Sequence, residues 1–245
     1  MSGVTIEPRH VLCVLGNGLD FAAVEAIVKE VGGPGFFVDE TSRVFDPRMP
    51  AAFEASLSNG TFTDADWAAV AGHDSIVYIL SPALQVDSSV DISRRLLALT
   101  AALLRAGATA VKNESAGLTH GRERWLRLAD NAWRPEALYY AWVKRPMTDG
   151  TELYSCGMHL LGAPDVEVQT GGPSDPQQLD GRVELIDALA LYMLTERPWT
   201  QINDGEGFLL TAQHPRWVLR RWRCLRYAAD DFFHNPYGYW RLTSG

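Results

Sequence analysis

Hydrophobic and polar positions in the first half of the chain switch between short apolar runs and helical stripes. Residues 11–15 (VLCVL) and 75–81 (IVYIL at the centre) are continuous apolar runs bounded by turn residues, which predicts buried strands. After the first, Gly16-Asn17-Gly18 turns the chain. Phe21, Val24, Ile27, Val28 and Val31 then share one face at helical spacing, with Asp20 placed as a cap and Gly32-Gly33-Pro34-Gly35 as the stop. Residues 35–39 and 43–45 read as two short strands, and 50–57 and 63–71 as short helices. In the second of these helices Thr63 is the cap, and Asp64 and Asp66 sit where the helix dipole favours anions. Ile92, Leu96, Leu99 and Leu103 predict a helix over 91–105, closed by Gly107. A strand at 109–112 and a helix at 122–129 follow. The resulting order is βαββαβ-like.

The second half carries a different pattern. Residues 138–144 and 153–156 read as the arms of a hairpin around Thr148, Asp149 and Gly150. Asp175-Pro176 is a helix start, with a cap before proline at the first helical position. Leu179, Val183, Ile186, Ala190 and Met193 recur at spacings of four and three, and Leu185, Leu189 and Tyr192 widen the face. Asp180, Glu184 and Asp187 form the narrow polar strip of that helix, which Pro198 ends. Strands are expected at 207–211, 216–227 and 239–242. With no repeat, low-complexity tract or flexible linker, these patterns predict an α/β (α+β) fold in one compact domain. Its mixed, largely antiparallel sheets are flanked by helices. A first half, about 1–130, packs on a sheet-and-helix half, about 131–245.

From about Trp67 onward, an ordered series of pieces resembles a known bacterial family. The series runs through IVYILSP after His73, the helix RRLLALTAALLRAG, a strand with a Ser115-Ala116-Gly117 turn, and Tyr140-Ala141-Trp142. It continues with the Gly157 to Gly162 turn leading to Asp165 and Glu167, the long helix to Thr195, and Asp204-Gly205. In that order the pieces resemble domain of unknown function 4261. The resemblance implies a sandwich-like α/β domain and brings no catalytic residues with it. Two departures stand out: Lys112-Asn113 replaces a more usual aromatic pair, and the closing strands are unusually rich in arginine.

An apolar fraction of 47% is ample for a core, and 21% charged residues with 10% aromatics exclude a disordered chain. A net charge of -8 opposes nucleic acid and anionic lipid and favours basic partners. The three cysteines, Cys13, Cys156 and Cys224, are scattered without a disulfide framework, which suggests a reducing compartment. The N-terminus has no signal-peptide pattern and no run is long enough to span a bilayer, so a cytoplasmic protein without membrane contact is expected.

Candidate chemistry is sparse. Gly16-Asn17-Gly18 lacks the third glycine of a dinucleotide site, Phe21 standing in its place, and no Walker-type loop occurs. Cys156 and His159 have a metal-like spacing but no second pair, so no cofactor and no metal is expected. Ser115 and His120 are close in sequence without an orienting acid. Asp165 and Glu167 alternate along a strand and so share a face, the arrangement that acid–base chemistry or cation binding would use. The run from Arg216 to Tyr227, RWVLRRWRCLRY, holds five arginines, two tryptophans and no acid. Arginine interleaved with aromatics suits phosphates and bases, whereas in an acidic chain it more often satisfies internal carboxylates.

These features favour a non-catalytic protein-binding protein, of the immunity or accessory kind that neutralises a secreted bacterial toxin. Acidic contacts at Asp180, Glu184, Asp187, Asp64 and Asp66 would face a basic toxin as partner. The alternatives are a hydrolase using Asp165 and Glu167, and a nucleic-acid-associated factor using the Arg216 to Tyr227 strand. No oligomeric state follows from the sequence.

Overall fold

The computed structural model describes residues 7–58, 60–148, 151–169 and 176–244. The Asp149-Gly150 turn, the 171–175 loop and the cap at Asp175 lie outside the described residues. Contacts divide the described chain into two units that meet at the Trp142–Val143 bond, rather than near residue 130.

The first unit contains β1 (Val11–Gly16), α1 (Phe21–Ile27), β2 (Phe37–Ser42), α2 (Met49–Glu54), α3 (Asp64–Ala71) and β3 (Ser75–Leu80). It continues with α4 (Ser89–Arg105), β4 (Ala108–Asn113), β5 (Leu118–Thr119), α5 (Arg122–Asp130) and α6 (Pro135–Trp142). Its strand order is β2-β3-β1-β4-β5 and every pairing is antiparallel. The first four strands interlock two split βαβ units, because β3 lies between β1 and β2 and β1 lies between β3 and β4. The βαββαβ pattern in the sequence is therefore realised, with α2 and α3 inserted before β3 and the short β5 added at the edge.

Alternation along β1 explains both faces of this sheet. Cys13 and Leu15 pack with Ile76 and Ala110 against Met49 and Phe53 of α2 and Val70 of α3. Leu12 and Val14 point to the other face and are equally buried. Alpha-4 packs on β4 and buries Ile92, Leu96, Leu99 and Leu103, the stripe seen in the sequence. Thr63 caps α3 in a reciprocal capping box with Asp66, and Asp20 caps α1 by accepting from the Ala22 and Ala23 amides.

Two local expectations change. In place of the two short strands expected at 35–39 and 43–45 there is one bulged strand, β2 (Phe37–Ser42), and Arg43 to Phe45 lie outside any strand. Residues 135–142 are helix α6, not a hairpin arm. Pro135 opens that helix, Glu136 suits its first turn, and Leu138, Tyr139, Ala141 and Trp142 are all buried. The helix packs on α4 and α5, and that packing overrides the β preference of its aromatics.

The second unit contains β6 (Met147–Thr148), β7 (Glu152–Tyr154), β8 (Asp165–Gln169), α7 (Pro176–Thr195), β9 (Gly207–Phe208), β10 (Trp217–Trp222) and β11 (Tyr239–Ser244). Its sheet order is β6-β7-β8-β11-β10-β9, antiparallel except for the parallel β8–β11 pair. The β6–β7 hairpin is shorter than expected, with an isolated Lys144–Cys156 bridge beyond it. Alpha-7 packs on β7 and β8. Leu185, Ile186, Leu189, Ala190 and Met193 are buried, while Val183 is half-buried. The arginine-rich strand ends at Trp222 instead of Tyr227, because Trp222 pairs with Tyr239, the first residue of β11. Just before it, Gly238 has φ 78° and lies so close to Trp222 that a Cβ would sit 2.2 Å from the Trp222 carbonyl oxygen. No described helix is long and apolar enough to cross a membrane.

Candidate functional site

Beta-8 organises the chemistry of the second unit. Val166 and Val168 are fully buried on one face. By alternation, Asp165 and Glu167 share the other, where Asp165 is opposite Tyr239 and Glu167 is opposite Tyr154 and Arg241. The expectation that the two acids lie on one face of a strand is met. Their surroundings differ sharply.

Glu167 belongs to a closed ring of charges. Arg226 Nη2 donates to Glu152 Oε2 at 2.9 Å and to Glu167 Oε2 at 3.0 Å. Arg241 Nε donates to Glu167 Oε1, and Arg241 Nη2 lies 3.7 Å from Glu152 Oε1. Two glutamates and two arginines thus alternate with no net charge. Aromatic faces brace the ring: Arg226 stands 3.9 Å over Tyr154 and Arg241 4.5 Å over Trp222. The Arg226 hydrogen bond holds the Glu152 carboxyl below its ordinary range. Burial works against the Arg226 charge, but Glu152 and its other neighbours raise its pKa above normal.

Asp165 is sealed, with no exposed surface. Its carboxylate accepts from Ser155 Oγ (2.9 Å), the Met158 amide (3.1 Å) and Asn235 Nδ2 (2.7 Å). Burial pushes its pKa up to about 7 against the pull of those donors. Nearby Cys156 is fully buried and its thiol is pushed above the usual range by burial. His159 is buried too, and burial pushes its pKa down to about 4. Among the described residues, no group of three or more His, Cys, Asp or Glu is placed to hold a metal ion.

The segment from Arg223 to Gly238, between β10 and β11, has no helix or strand of its own. Long connections of that type often carry function. It covers Asp165 through Asn235, supplies Arg226 to the ring, and carries Leu225, which is 83% exposed. Trp222 at its root is 47% exposed. Two depressions flank this rim. One, about 250 Å³, is lined by the charge ring with Trp222, Arg223 and Leu225. The other, about 570 Å³, lies between residues 221–225 and 234–238.

The remaining candidates resolve individually. Asp66 is consumed by Thr63 and by the Arg122 amide at 2.8 Å, whereas Asp64 is exposed. On α7, Asp180 and Glu184 are exposed, but Asp187 turns inward and pairs with Arg145 at 3.6 Å. The Gly18 amide donates to Asp74 Oδ1 at 2.6 Å and the Leu19 amide to Ser75 Oγ at 3.2 Å, so the turn after β1 spends its donors on the protein. Ser115 donates to the Arg9 carbonyl at 2.6 Å, and His120 rests edge-on against Trp125. Of the arginines from Arg216 to Tyr227, Arg220 pairs with Asp204 and Arg226 with the two ring glutamates. Asp231 accepts from the Phe233 amide.

Sequence reading missed two groupings. The charge ring pairs arginines with glutamates 59 to 89 positions away, which no local pattern signals. In the first unit, His10 Nε2 lies 2.8 Å from Ser93 Oγ while its Nδ1 lies 2.8 Å from Asn113 Nδ2. All three residues are fully buried, so this set fastens β1 and β4 to α4 and offers no substrate access. No protein-family model matches the chain, and no curated protein or solved structure matches it.

Proposed function

We propose that the chain is a non-catalytic binding protein that captures a protein partner, of the immunity or accessory kind that neutralises a secreted toxin. The exposed rim from Arg221 to Leu225 carries this reading. A half-exposed tryptophan with neighbouring arginines has the composition of an interface hot spot, and the almost fully exposed Leu225 adds apolar surface beside it. The charge ring beneath them fixes the root of the rim. Three buried free thiols agree with a reducing, cytoplasmic setting. The resemblance to domain of unknown function 4261 belongs to the same reading.

The hydrolase alternative draws less support. Asp165 has no access to a substrate, and Glu167 shares both oxygens with arginines. For the nucleic-acid alternative, the strand carrying the arginine run ends at Trp222, and two of its five arginines are paired with acids, Arg220 with Asp204 and Arg226 with Glu152 and Glu167.

The test is a double substitution, Trp222→Ala with Leu225→Ala. The partner is identified by co-purification of the wild-type chain from its source cell, then the complex is rebuilt from purified components. The double variant should weaken the rebuilt complex by at least about tenfold, equivalent to ~1.4 kcal/mol. An unchanged affinity with the fold intact would remove the rim from the interface. Turnover of a small molecule that is lost in Glu167→Gln would replace the binding reading with the enzyme one.

A further inference from the structure

The depression beside the rim has an excess of positive donors. Its lining holds three arginines, Arg223, Arg226 and Arg241, against two glutamates, Glu152 and Glu167. The ring uses two of the arginines to neutralise both acids. Arg223 is left over, and its guanidinium has no hydrogen bond or ion pair among the described residues. Arg226 Nε is buried and makes no hydrogen bond, although the other donor atoms of the same group are engaged.

Resting on the binding reading above, we infer that this depression anchors a glutamate or aspartate side chain from an acidic segment of the protein partner. Arg223 supplies the planar fork that a carboxylate matches. One uncompensated charge suits a monoanion. The two glutamates in the lining disfavour a phosphate dianion, which would bring about twice the charge against them. A volume of about 250 Å³ accommodates a side chain and falls short of a cofactor-sized pocket. Trp222 and Leu225 stand at the lining and are exposed, so an apolar residue next to the acid rests on them. The partner segment is therefore an acid followed or preceded by a large apolar residue.

The probe is a blocked dipeptide, N-acetyl-glutamyl-phenylalanine amide, titrated into the full chain while the Trp222 indole signal is followed by NMR. Its glutamine analogue and a phosphoserine analogue serve as comparators. The glutamyl peptide should shift the Trp222 signal at millimolar concentration. The glutamine and phosphoserine peptides should bind at least about tenfold more weakly. Arg223→Gln should bring the glutamyl peptide down to the level of its glutamine analogue. Because Arg223 holds no internal partner, this variant should melt like wild type; Arg223→Lys, which keeps the charge and loses the fork, gives a second reading with intermediate affinity. Equal binding of the glutamyl and glutamine peptides, tighter binding of the phosphoserine peptide, no shift at Trp222, or indifference to both Arg223 variants would overturn the inference. If the dipeptide fails while Trp222→Ala with Leu225→Ala still breaks the rebuilt complex, the anchor is wrong and the binding function stands.

Discussion

Asp165 and His159 are buried a few residues apart, and burial shifts them in opposite directions: Asp165 up to about 7 and His159 down to about 4. Their effects on stability have opposite signs. The folded chain keeps a proton on Asp165 that the unfolded chain, with an ordinary value of 3.8, has already released. That contribution is complete below about pH 3.8 and is lost as pH rises through 7. For His159 the unfolded chain, with an ordinary value of 6.5, takes up its proton first as pH falls. Its contribution is present above about 6.5 and is lost as pH falls through 4. Between pH 4 and 6.5 the two slopes oppose, each at most about 1.4 kcal/mol per pH unit. Urea unfolding of Asp165→Asn across this range should therefore show stability rising with pH. His159→Phe should show it falling. The wild-type chain should be flatter than either, and identical slopes in all three would mean that neither group titrates as its burial dictates.

Elements that follow from a local stripe or cap were readable in the sequence, and those set by a distant partner were not. Alpha-4 and α7 announce themselves by apolar spacing, and the Thr63 cap by its position three residues before Asp66. Leu99 and Ile186 are fully buried on these helices, each in its own unit. Leu99→Ala and Ile186→Ala should each cost about 2–5 kcal/mol in chemical denaturation, and losses below ~1 kcal/mol in both would mean that those faces do not carry the cores. The sequence of α6 points to a strand because its aromatic residues favour strands in isolation, although Pro135 and Glu136 carry a helix-start signal. The sequence pattern of β10 runs on to Tyr227, but the end of the strand is decided by where Tyr239 begins to pair. The candidate site was half legible for the same reason. Alternation places Asp165 and Glu167 on one face, but nothing local tells that one meets Asn235 and the other two arginines.

At the scale of the whole chain, a net charge of -8 conceals how its charges are used. Trp142 and Val143, where the chain passes from one unit to the other, are both buried residues with no flexible run around them in sequence, so limited proteolysis should not cut there to release stable halves. Recovery of a fragment ending near Trp142 would contradict that. Of the five acids expected to meet a basic toxin, Asp66 and Asp187 are occupied internally, leaving Asp180 and Glu184 exposed on α7 and Asp64 exposed in the other unit. The rim instead presents arginines, so a partner that uses it must carry acid. These alternatives predict opposite kinetics. Salt screens exposed charges beyond ~10 Å at 0.1 M, so both contacts would be salt-sensitive, and only charge reversal separates them. Asp180→Lys with Glu184→Lys should leave the association rate of the rebuilt complex within about twofold, or raise it, by reducing repulsion of an acidic partner. Arg221→Glu with Arg223→Glu should slow association by at least about tenfold and steepen its dependence on salt in the reverse sense. Stopped-flow mixing at several ionic strengths reads both. Slower association in the α7 variant with no change in the rim variant would return the contact to the acidic helix and make the partner basic.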